Sequence, residues 1–249
     1  MPVLELSNVT KAFGGLVAVN DATFSVESST IHGLIGPNGA GKTTLFSLIA
    51  GFYRPSVGRI ILEGRDITRL STSDRARRGL VRTFQGTVLF PDQTSRENIQ
   101  NGSLAQTGNR FGNLFDTRAA KRARTEQAEQ ILEFCMLSEV ANTAARDLSH
   151  GQQRVLGIAI ALAAKPRVLL LDEPFTGMTA NEKDRLVEML ERIRASGTTI
   201  MLVEHDMRSV MRLCSIITVL NFGTVLIEGT PEQVRRHPEV IAAYLGTGA

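Results

Sequence analysis

The sequence predicts an α/β fold with an inserted helical segment, and three stretches of the chain carry this prediction. The first is GPNGAGKTT, residues 36–44, which lies between a short apolar run and a helix-like pattern. The second is VLLLDEP, residues 168–174, an apolar strand that ends in two acidic residues. The third is residues 85–148, where strand patterns disappear. Strands that alternate with helices on both sides of this segment indicate an α/β core.

The part of the chain before residue 85 is predicted to be rich in strands. Strand patterns with apolar alternation or apolar runs, besides the short run that precedes residue 36, occupy residues 3–9, 17–26, 58–62 and 80–84. A helix follows GPNGAGKTT and ends at Gly51, and a short basic helix is predicted over residues 71–78.

Residues 85–148 are predicted to form a mostly helical insertion. Glycine and asparagine cluster between residues 101 and 113, and a long helix follows. The apolar face of that helix is predicted to comprise Ala128, Ile131, Leu132, Cys135 and Met136. The α/β pattern then resumes with helices and strands, predicted at residues 151–164, 168–171, 181–195, 198–203, 216–220, 224–227, 231–236 and 238–244.

Composition is typical of a globular protein, with 249 residues of which 43% are hydrophobic and 21% charged. The net charge of +3 does not single out a nucleic acid partner, and none is expected. Cys135 and Cys214 lack metal-ligand spacing and are expected to be buried free thiols in a reducing compartment. The N-terminus does not read as a signal peptide, and the longest apolar stretch, residues 155–164, is shorter than the roughly 20 residues that a membrane span needs.

GPNGAGKTT matches the phosphate-binding loop pattern G-x-x-x-x-G-K-[ST] through Gly36, Gly41, Lys42 and Thr43. Glycines let backbone N–H groups close around phosphates, and the dipole of the following helix favours negative charge. Lys42 is expected to reach the β- and γ-phosphates, and the Thr43 hydroxyl to hold Mg²⁺. The alternative is a chance glycine-rich turn, which the flanking strand and helix disfavour. The predicted nucleotide-binding residues of this loop are Gly36, Pro37, Asn38, Gly39, Ala40, Gly41, Lys42, Thr43 and Thr44.

Two further motifs complete the predicted nucleotide chemistry. Asp172, at the end of the buried strand, is expected to hold Mg²⁺, and Glu173 to act as general base for the water that attacks the γ-phosphate. Alone, this pair would be an acidic turn between a strand and a helix. The sequence LSHGQ, residues 148–152, precedes an apolar helix, so Ser149 is a good helix N-cap. That helix start could instead face a phosphate of a second nucleotide, in a head-to-tail dimer.

The phosphate loop, Gln85, LSHGQ, LLLDEP and His205, in this order, resemble the ATP-binding subunit of an ABC transporter along essentially the whole chain. The resemblance places Phe13 at the position of the aromatic that stacks on adenine, and Gln85 at that of a glutamine that senses Mg²⁺ or water and couples to the transporter. It makes Glu173 the catalytic base and His205 the histidine that contacts the γ-phosphate. Without this framework, Phe13 and His205 would be read as a core aromatic and a loop histidine. The signature residues Ser149, Gly151 and Gln152 would bind the second ATP.

The resemblance also implies an architecture and partners. We expect one domain over residues 1–249, in which residues 1–84 and 165–249 form an α/β core with an N-terminal antiparallel strand layer. Residues 85–164 would form the helical subdomain. Two integral-membrane permease subunits, a second ATPase subunit and, indirectly, a solute-binding protein would be its partners. They would hold the chain at the cytoplasmic face of the inner membrane.

The finer resemblance is to importer ATPases for branched-chain, or hydrophobic, amino acids. It rests on FGGLVAVND, VRTFQ and the tail GTPEQVRRHPEVIAAYLG, whereas LSHGQ with GMT is similar to the urea importers of the same group. Two positions depart from the commonest family pattern: His150 replaces a glycine, and Thr179 replaces an aspartate and, with Glu182, reads as a capping box. The rival interpretations are an importer of urea or short amides, an ABC exporter, and a soluble ABC ATPase such as one for iron–sulfur assembly.

Overall fold

The structure is a computed structural model that describes residues 1–83, 89–107 and 117–245. The strands in chain order are β1 (Pro2–Phe13), β2 (Leu16–Glu27), β3 (Ile31–Ile35), β4 (Val57–Leu62), β5 (Arg65–Asp66), β6 (Leu80–Arg82), β7 (Val168–Asp172), β8 (Thr199–Val203), β9 (Ile216–Asn221) and β10 (Thr224–Gly229). The helices are α1 (Lys42–Ala50), α2 (Thr72–Arg77), α3 (Ser95–Thr107), α4 (Arg118–Phe134), α5 (His150–Ala163), α6 (Ala180–Ala195), α7 (Met207–Leu213), α8 (Pro231–Arg236) and α9 (Pro238–Leu245).

The larger sheet has the strand order β10-β9-β3-β8-β7-β6. Its pairings are parallel except for the antiparallel pair of β9 and β10. Every residue of β3, β7 and β8 is buried, because elements pack on both faces of these central strands. The strands predicted before the phosphate loop and at residues 168–171 and 198–203 are therefore confirmed, as is the full burial expected for 168–171.

Alternate residues of the buried strands face two different apolar layers, as the two-residue repeat of a strand requires. In β7, Leu169 and Leu171 pack into the layer that contains the buried sides of α5, α6 and α7. Val168 and Leu170 point the opposite way, into the layer formed with α1, β1, β2 and β4. The parallel sheet is therefore the middle layer of the molecule.

The smaller sheet is antiparallel, with the order β2-β1-β4-β5. The alternation of apolar and polar residues along β1 buries Leu4 and Leu6 against α1, whereas Glu5 between them is only partly buried. The expected N-terminal antiparallel strand layer is thus confirmed.

Helices α3 and α4 pack on each other and on α5, and Ile99, Ala128 and Leu132 are fully buried there. The predicted apolar face of the long helix is correct except at Met136, which is 54% exposed. The helix ends at Phe134, and Met136 adopts φ 57°, so the chain leaves the helical path before this residue. The division of the chain at residues 85–164 stays a prediction.

The C-terminal end of α1 is capped by a buried arginine that the sequence pattern did not single out. Arg75, predicted only as part of a short basic helix, is fully buried. Its guanidinium donates to the carbonyl oxygens of Leu48 and Ile49 at 2.6 Å each, and to those of Thr68 and Leu70 at 3.0 and 3.3 Å. The bonds to Leu48 and Ile49 add donors at the end of α1, where a helix leaves carbonyls without intrahelical partners.

No described helix combines the length and the apolar character needed to cross a lipid bilayer. Cys135 and Cys214 are buried free thiols, as expected, and burial raises the pKa of each to about 12. Both thiols therefore stay protonated at neutral pH, and both are unreactive packing residues.

Candidate nucleotide-binding site

The carboxyl ends of the parallel strands β3, β7 and β8 lie at one edge of the large sheet, and the loops that leave them meet there. Open α/β sheets bind ligands at this edge. A cavity of about 630 Å³ lies there, lined by Leu16, Val17, Ala18, Asn38, Gly39, Ala40, Gly41, Lys42, Thr43, Thr44, Glu173, His205, Phe222 and Gly223. The structure thus brings the phosphate loop together with the predicted base Glu173 and with His205.

The phosphate loop is held by close backbone contacts that only glycine permits. Gly41 adopts φ 98°, and a side chain there would place its Cβ 2.4 Å from the carbonyl oxygen of Ala18. The Gly223 N–H donates to the Ala40 carbonyl at 2.9 Å, which ties the loop to the turn between β9 and β10. Gly41 is also the N-cap of α1 and supplies no side-chain cap, so the first N–H groups of the helix remain for a ligand.

The Lys42 side chain stabilises the conformation of the phosphate loop by bonding to its main chain. Its buried Nζ donates to the carbonyl oxygens of Gly36 at 2.7 Å and Pro37 at 2.9 Å. These bonds account for two of the three donors of an ammonium group. Burial lowers the pKa of Lys42, and the negative charge of Glu173 opposes that shift. A phosphate oxygen in the cavity is a suitable acceptor for the third donor.

Glu173 and His205 are in direct contact at the mouth of the site. His205 Nε2 lies 2.9 Å from Glu173 Oε1, and the Glu173 N–H donates to the Val203 carbonyl at 2.9 Å. Glu173 adopts φ 48°, a left-handed conformation that side chains disfavour and that is characteristic of functional sites. The predicted base and the predicted histidine thus form one hydrogen-bonded pair, although they come from different strands.

Asp172 is buried and bonded to a residue that the sequence analysis did not select. Arg82 Nη2 lies 2.6 Å from Asp172 Oδ2, and Arg82 Nη1 donates to Ser47 Oγ at 3.1 Å. The guanidinium also lies over the rings of Phe46 and Phe52, at 5.3 and 5.5 Å from the ring centroids. The only sequence signal for this contact was that Arg82 is a basic residue near the end of the strand predicted before Gln85.

Two oxygen donors in this region fit Mg²⁺, which prefers hydroxyl, carboxylate and phosphate oxygens. Thr43 is exposed in the first turn of α1 and lines the cavity, and Asp172 ends β7. One carboxylate oxygen of Asp172 already accepts from Arg82, which fixes the orientation of the group. Gln85, the third predicted metal ligand, lies outside the described residues.

Phe13 does not line the cavity. It is 42% exposed and packs edge-on against Tyr53, with ring centroids 5.3 Å apart, and Lys11 Nζ lies 4.9 Å from its ring centroid. The cavity wall nearest to it in sequence is formed by Leu16 and Val17. Stacking of Phe13 on adenine stays a prediction, and Leu16 and Val17 are cavity residues that the sequence analysis missed.

The signature residues lie outside this cavity. Ser149 and Gln152 form a reciprocal capping box at the start of α5, which confirms the structural interpretation of Ser149. Gly151 lies close to α6. A side chain at this position would place its Cβ 2.3 Å from Glu182 Oε1, which is too short for a real contact. Thr179 and Glu182 form the predicted capping box of α6. Binding of a second nucleotide by the start of α5 stays a prediction.

The fold and the site together define an ATPase of the phosphate-loop class, with an inserted helical segment between the loop strand and the acidic strand. A family model described as ABC transporter matches residues 19–176, and one described as branched-chain amino acid ATP-binding cassette transporter matches residues 224–249. The chain therefore belongs to the ABC transporter family, as one of its ATP-binding subunits, and it is an ATPase.

Relatives and solved structures agree with this membership over almost the whole chain. The chain is 44% identical over 250 residues to the high-affinity branched-chain amino acid transport ATP-binding protein BraF of Pseudomonas aeruginosa, covering 98% of both chains. It is 42% identical over 251 residues to LivG of Escherichia coli K12, a protein with the same description, again covering 98% of both. A crystal structure of an ABC transporter cassette in its ADP conformation superposes with a TM-score of 0.88 at 30% identity, covering 99% of both.

Proposed function

We propose that this chain powers a multi-subunit importer for branched-chain amino acids by hydrolysing ATP. The observation that carries the ATP chemistry is the hydrogen-bonded pair of Glu173 and His205 at the mouth of the phosphate-loop cavity. The solute is supported by the relatives at 42–44% identity, which are described as branched-chain amino acid transport proteins. The C-terminal family match at residues 224–249 supports the same solute class.

Each site residue has a distinct part in the proposed hydrolysis. The N–H groups of the loop and of the start of α1 bind the phosphates, and Lys42 neutralises charge on the β- and γ-phosphates. The Glu173 carboxylate accepts a proton from water while the water oxygen bonds to the γ-phosphorus. The bond from that phosphorus to the bridging oxygen breaks, and ADP and inorganic phosphate leave. His205 contacts the γ-phosphate and orients Glu173 through their shared hydrogen bond.

Mg²⁺, held by Thr43, Asp172 and Gln85, would neutralise charge that develops on the phosphates. Arg82 keeps the Asp172 carboxylate turned in one direction, because the pair is almost fully buried. A second ATPase chain would close the site by bringing its own signature residues over the bound ATP, as the exposed Ser149 of this chain would do for the partner.

The permease would dock in the groove beside Gln85, which includes Phe90 and Pro91. Two observations support this surface. Phe52 and Phe90 are 47% and 52% exposed, unusually so for phenylalanine, and an apolar cleft of about 310 Å³ runs along the strand that leads to Gln85. The cleft is lined by Ala50, Phe52, Thr72, Ser73, Ala76, Leu80, Val81 and Arg82. Docking there would hold the chain at the cytoplasmic face of the inner membrane.

Affinity purification of this chain from detergent-solubilised native membranes tests the proposal. We expect to recover two permease chains, identified by mass spectrometry, and a second ATPase subunit, which is either another copy of this chain or a different chain. The recovered complex, reconstituted in vesicles with its binding protein, should then take up labelled leucine or valine in the presence of ATP. Uptake of urea or a short amide instead would reassign the solute, and recovery of soluble partners alone would contradict the transport role.

A further inference from the structure

Glu204 is a buried acidic residue directly before His205, and the proposed hydrolysis gives it no part. It follows the last residue of β8 and is 3% exposed. An acidic side chain is seldom buried without compensating partners, because removing its charge from water is costly. Its partners therefore indicate what it does.

The Glu204 carboxylate accepts hydrogen bonds from three backbone N–H groups. Oε1 accepts from Phe175 at 2.8 Å, and Oε2 accepts from His205 at 2.9 Å and from Asp206 at 3.4 Å. Phe175 lies two residues after Glu173, in the turn that follows β7, whereas His205 and Asp206 belong to the loop after β8. One carboxylate thus joins the two loops that carry the catalytic pair.

These bonds close a ring of contacts around the pair. Glu204 holds the main chain of His205, His205 Nε2 contacts Glu173 Oε1 at 2.9 Å, and the Glu173 N–H is held by the Val203 carbonyl. Phe175, which Glu204 also holds, is itself only 1% exposed and cannot shift without disturbing the core. The main-chain positions on both sides of the contact are therefore set by the same side chain.

The pKa of Glu204 is raised above its usual value, mainly by burial and further by the nearby charge of Glu173, whereas the three N–H donors oppose this shift. On the other side of the loop, Asp206 is bonded to Lys183 Nζ at 2.6 Å and caps α7. Asp206 therefore has its own partners and does not share those of Glu204.

We propose that Glu204 is a positioning residue for hydrolysis. It holds the main chain of His205 and the turn after Glu173 in the positions that the hydrogen bond between Glu173 and His205 requires. This inference rests on the proposed role of His205. It differs from a simple stabilising role, because a residue that only stabilises the fold would affect hydrolysis whether or not His205 is present.

The test is a double-mutant cycle in the purified complex that contains this chain. Glu204→Gln keeps the side-chain length but replaces one acceptor oxygen with an NH₂ donor, which faces a backbone N–H. We expect it to lower kcat for ATP at least about tenfold while the affinity for a fluorescent ATP analogue changes less than about twofold. In a His205→Ala background, adding Glu204→Gln should lower kcat less than about twofold further, because residues that act through one another are not additive.

Glu191→Gln is the matched control, because it makes the same chemical change at an exposed residue of α6 and leaves the bonds of Glu204 to Phe175, His205 and Asp206 in place. It should leave kcat within about twofold of the parent. Thermal melting of each variant reports folding, and if Glu204→Gln does not fold, Glu204→Asp, which keeps both oxygens on a shorter side chain, replaces it in the cycle. Equal losses of kcat with and without His205, or no loss in a folded variant, would overturn the proposal. Unchanged hydrolysis in His205→Ala alone would instead contradict the proposed role of His205.

Discussion

Lys42 serves both the fold of the phosphate loop and the ligand that the loop is built to bind. Two of its donors hold loop carbonyls, and its buried charge faces the cavity with few competing acceptors. A charged hydrogen bond contributes about 1.5–3 kcal/mol, so we expect Lys42→Ala to weaken ATP binding by roughly 10- to 100-fold. Titration with a fluorescent ATP analogue measures this, and exposed Lys165→Ala is the control. Unchanged nucleotide affinity in Lys42→Ala would count against the phosphate-loop role.

His32 is a buried histidine that the sequence analysis did not select. Its Nε2 lies 2.8 Å from Thr218 Oγ1 and its ring stacks on Phe24. Burial lowers its pKa from 6.5 to about 4, so the folded protein keeps it neutral where the unfolded chain protonates it. The unfolded state therefore binds more protons between pH 6.5 and 4, and the native state loses stability as the pH falls through this window.

We expect His32→Gln to remove part of this pH dependence. Because each pKa unit corresponds to about 1.4 kcal/mol, His32 should account for about 2 kcal/mol of the loss in the free energy of unfolding between pH 7.5 and 5. Urea unfolding at the two pH values measures this difference. Exposed His150→Gln should retain the parent slope. The same slope in His32→Gln and in the parent would contradict the assignment.

The residues of the site differ in how far the sequence predicted them. Lys42 and Glu173 were predicted from motifs whose residue types suit phosphate chemistry, and His205 was predicted from the family resemblance. The structure places all three around one cavity. Arg82 and Glu204 were missed, since an isolated charged residue beside a strand is usually solvated. Only the tertiary contacts with Asp172 and with Phe175 show that these two charges are buried and partnered.

The two ends of helix α1 are capped differently, and the difference matches the proposed binding of phosphate at its N-terminus. At the N-terminus, Gly41 supplies no side-chain cap and the N–H groups face the cavity. At the C-terminus, Gly51 adopts φ 88° and the buried guanidinium of Arg75 bonds the last carbonyls. One end is thereby left for a ligand, whereas the other is fixed by the protein itself.

We expect removal of the Arg75 cap to be strongly destabilising. Arg75→Met keeps an apolar stem but removes four hydrogen bonds, and a buried group that is left unsatisfied costs about 1–3 kcal/mol. We therefore expect the free energy of unfolding to fall by at least about 3 kcal/mol in urea titration. Arg77→Met is the matched control, because its ion pair with Asp74 is half exposed and such pairs contribute less than about 1 kcal/mol. Equal effects of the two variants would show that the cap is not needed.

At the level of elements, the sequence located the central strands well but placed the end of one helix, α4, incorrectly. The buried strands β3, β7 and β8 were located within one or two residues, because continuous apolar runs are hard to place elsewhere. The end of α4 was placed too late, since periodicity alone cannot show that Met136 turns into the left-handed region. The bonds that end the helix run from Met136 and Leu137 back to Glu133 and Leu132, and no side-chain pattern encodes them.

At the scale of the molecule, the described residues place the phosphate loop and the start of α5 at separate sites. The cavity at the carboxyl edge of the sheet holds the loop and the catalytic pair, but Ser149 and its helix lie outside it. Ser149 is exposed, and its hydroxyl caps its own helix through the Gln152 N–H. A second chain in head-to-tail orientation would bring such a helix start over the bound phosphates. Assembly should therefore depend on ATP and on whether that ATP is hydrolysed.

Glu173→Gln tests whether assembly depends on ATP and on its hydrolysis. The variant cannot accept the proton from water, so ATP should stay bound and the closed dimer should accumulate, whereas ADP should leave the chain monomeric. Light scattering after size exclusion measures the mass of the protein with ATP and with ADP, and exposed Glu191→Gln is the control.

Adding Ser149→Arg should prevent the dimer without weakening ATP binding to the loop, since Ser149 acts on the other chain's nucleotide. A Glu173→Gln chain that binds ATP yet stays monomeric would contradict self-pairing and assign the second signature to a different ATPase chain. Unimpaired ATP turnover in Glu173→Gln would contradict the role of Glu173 as the base.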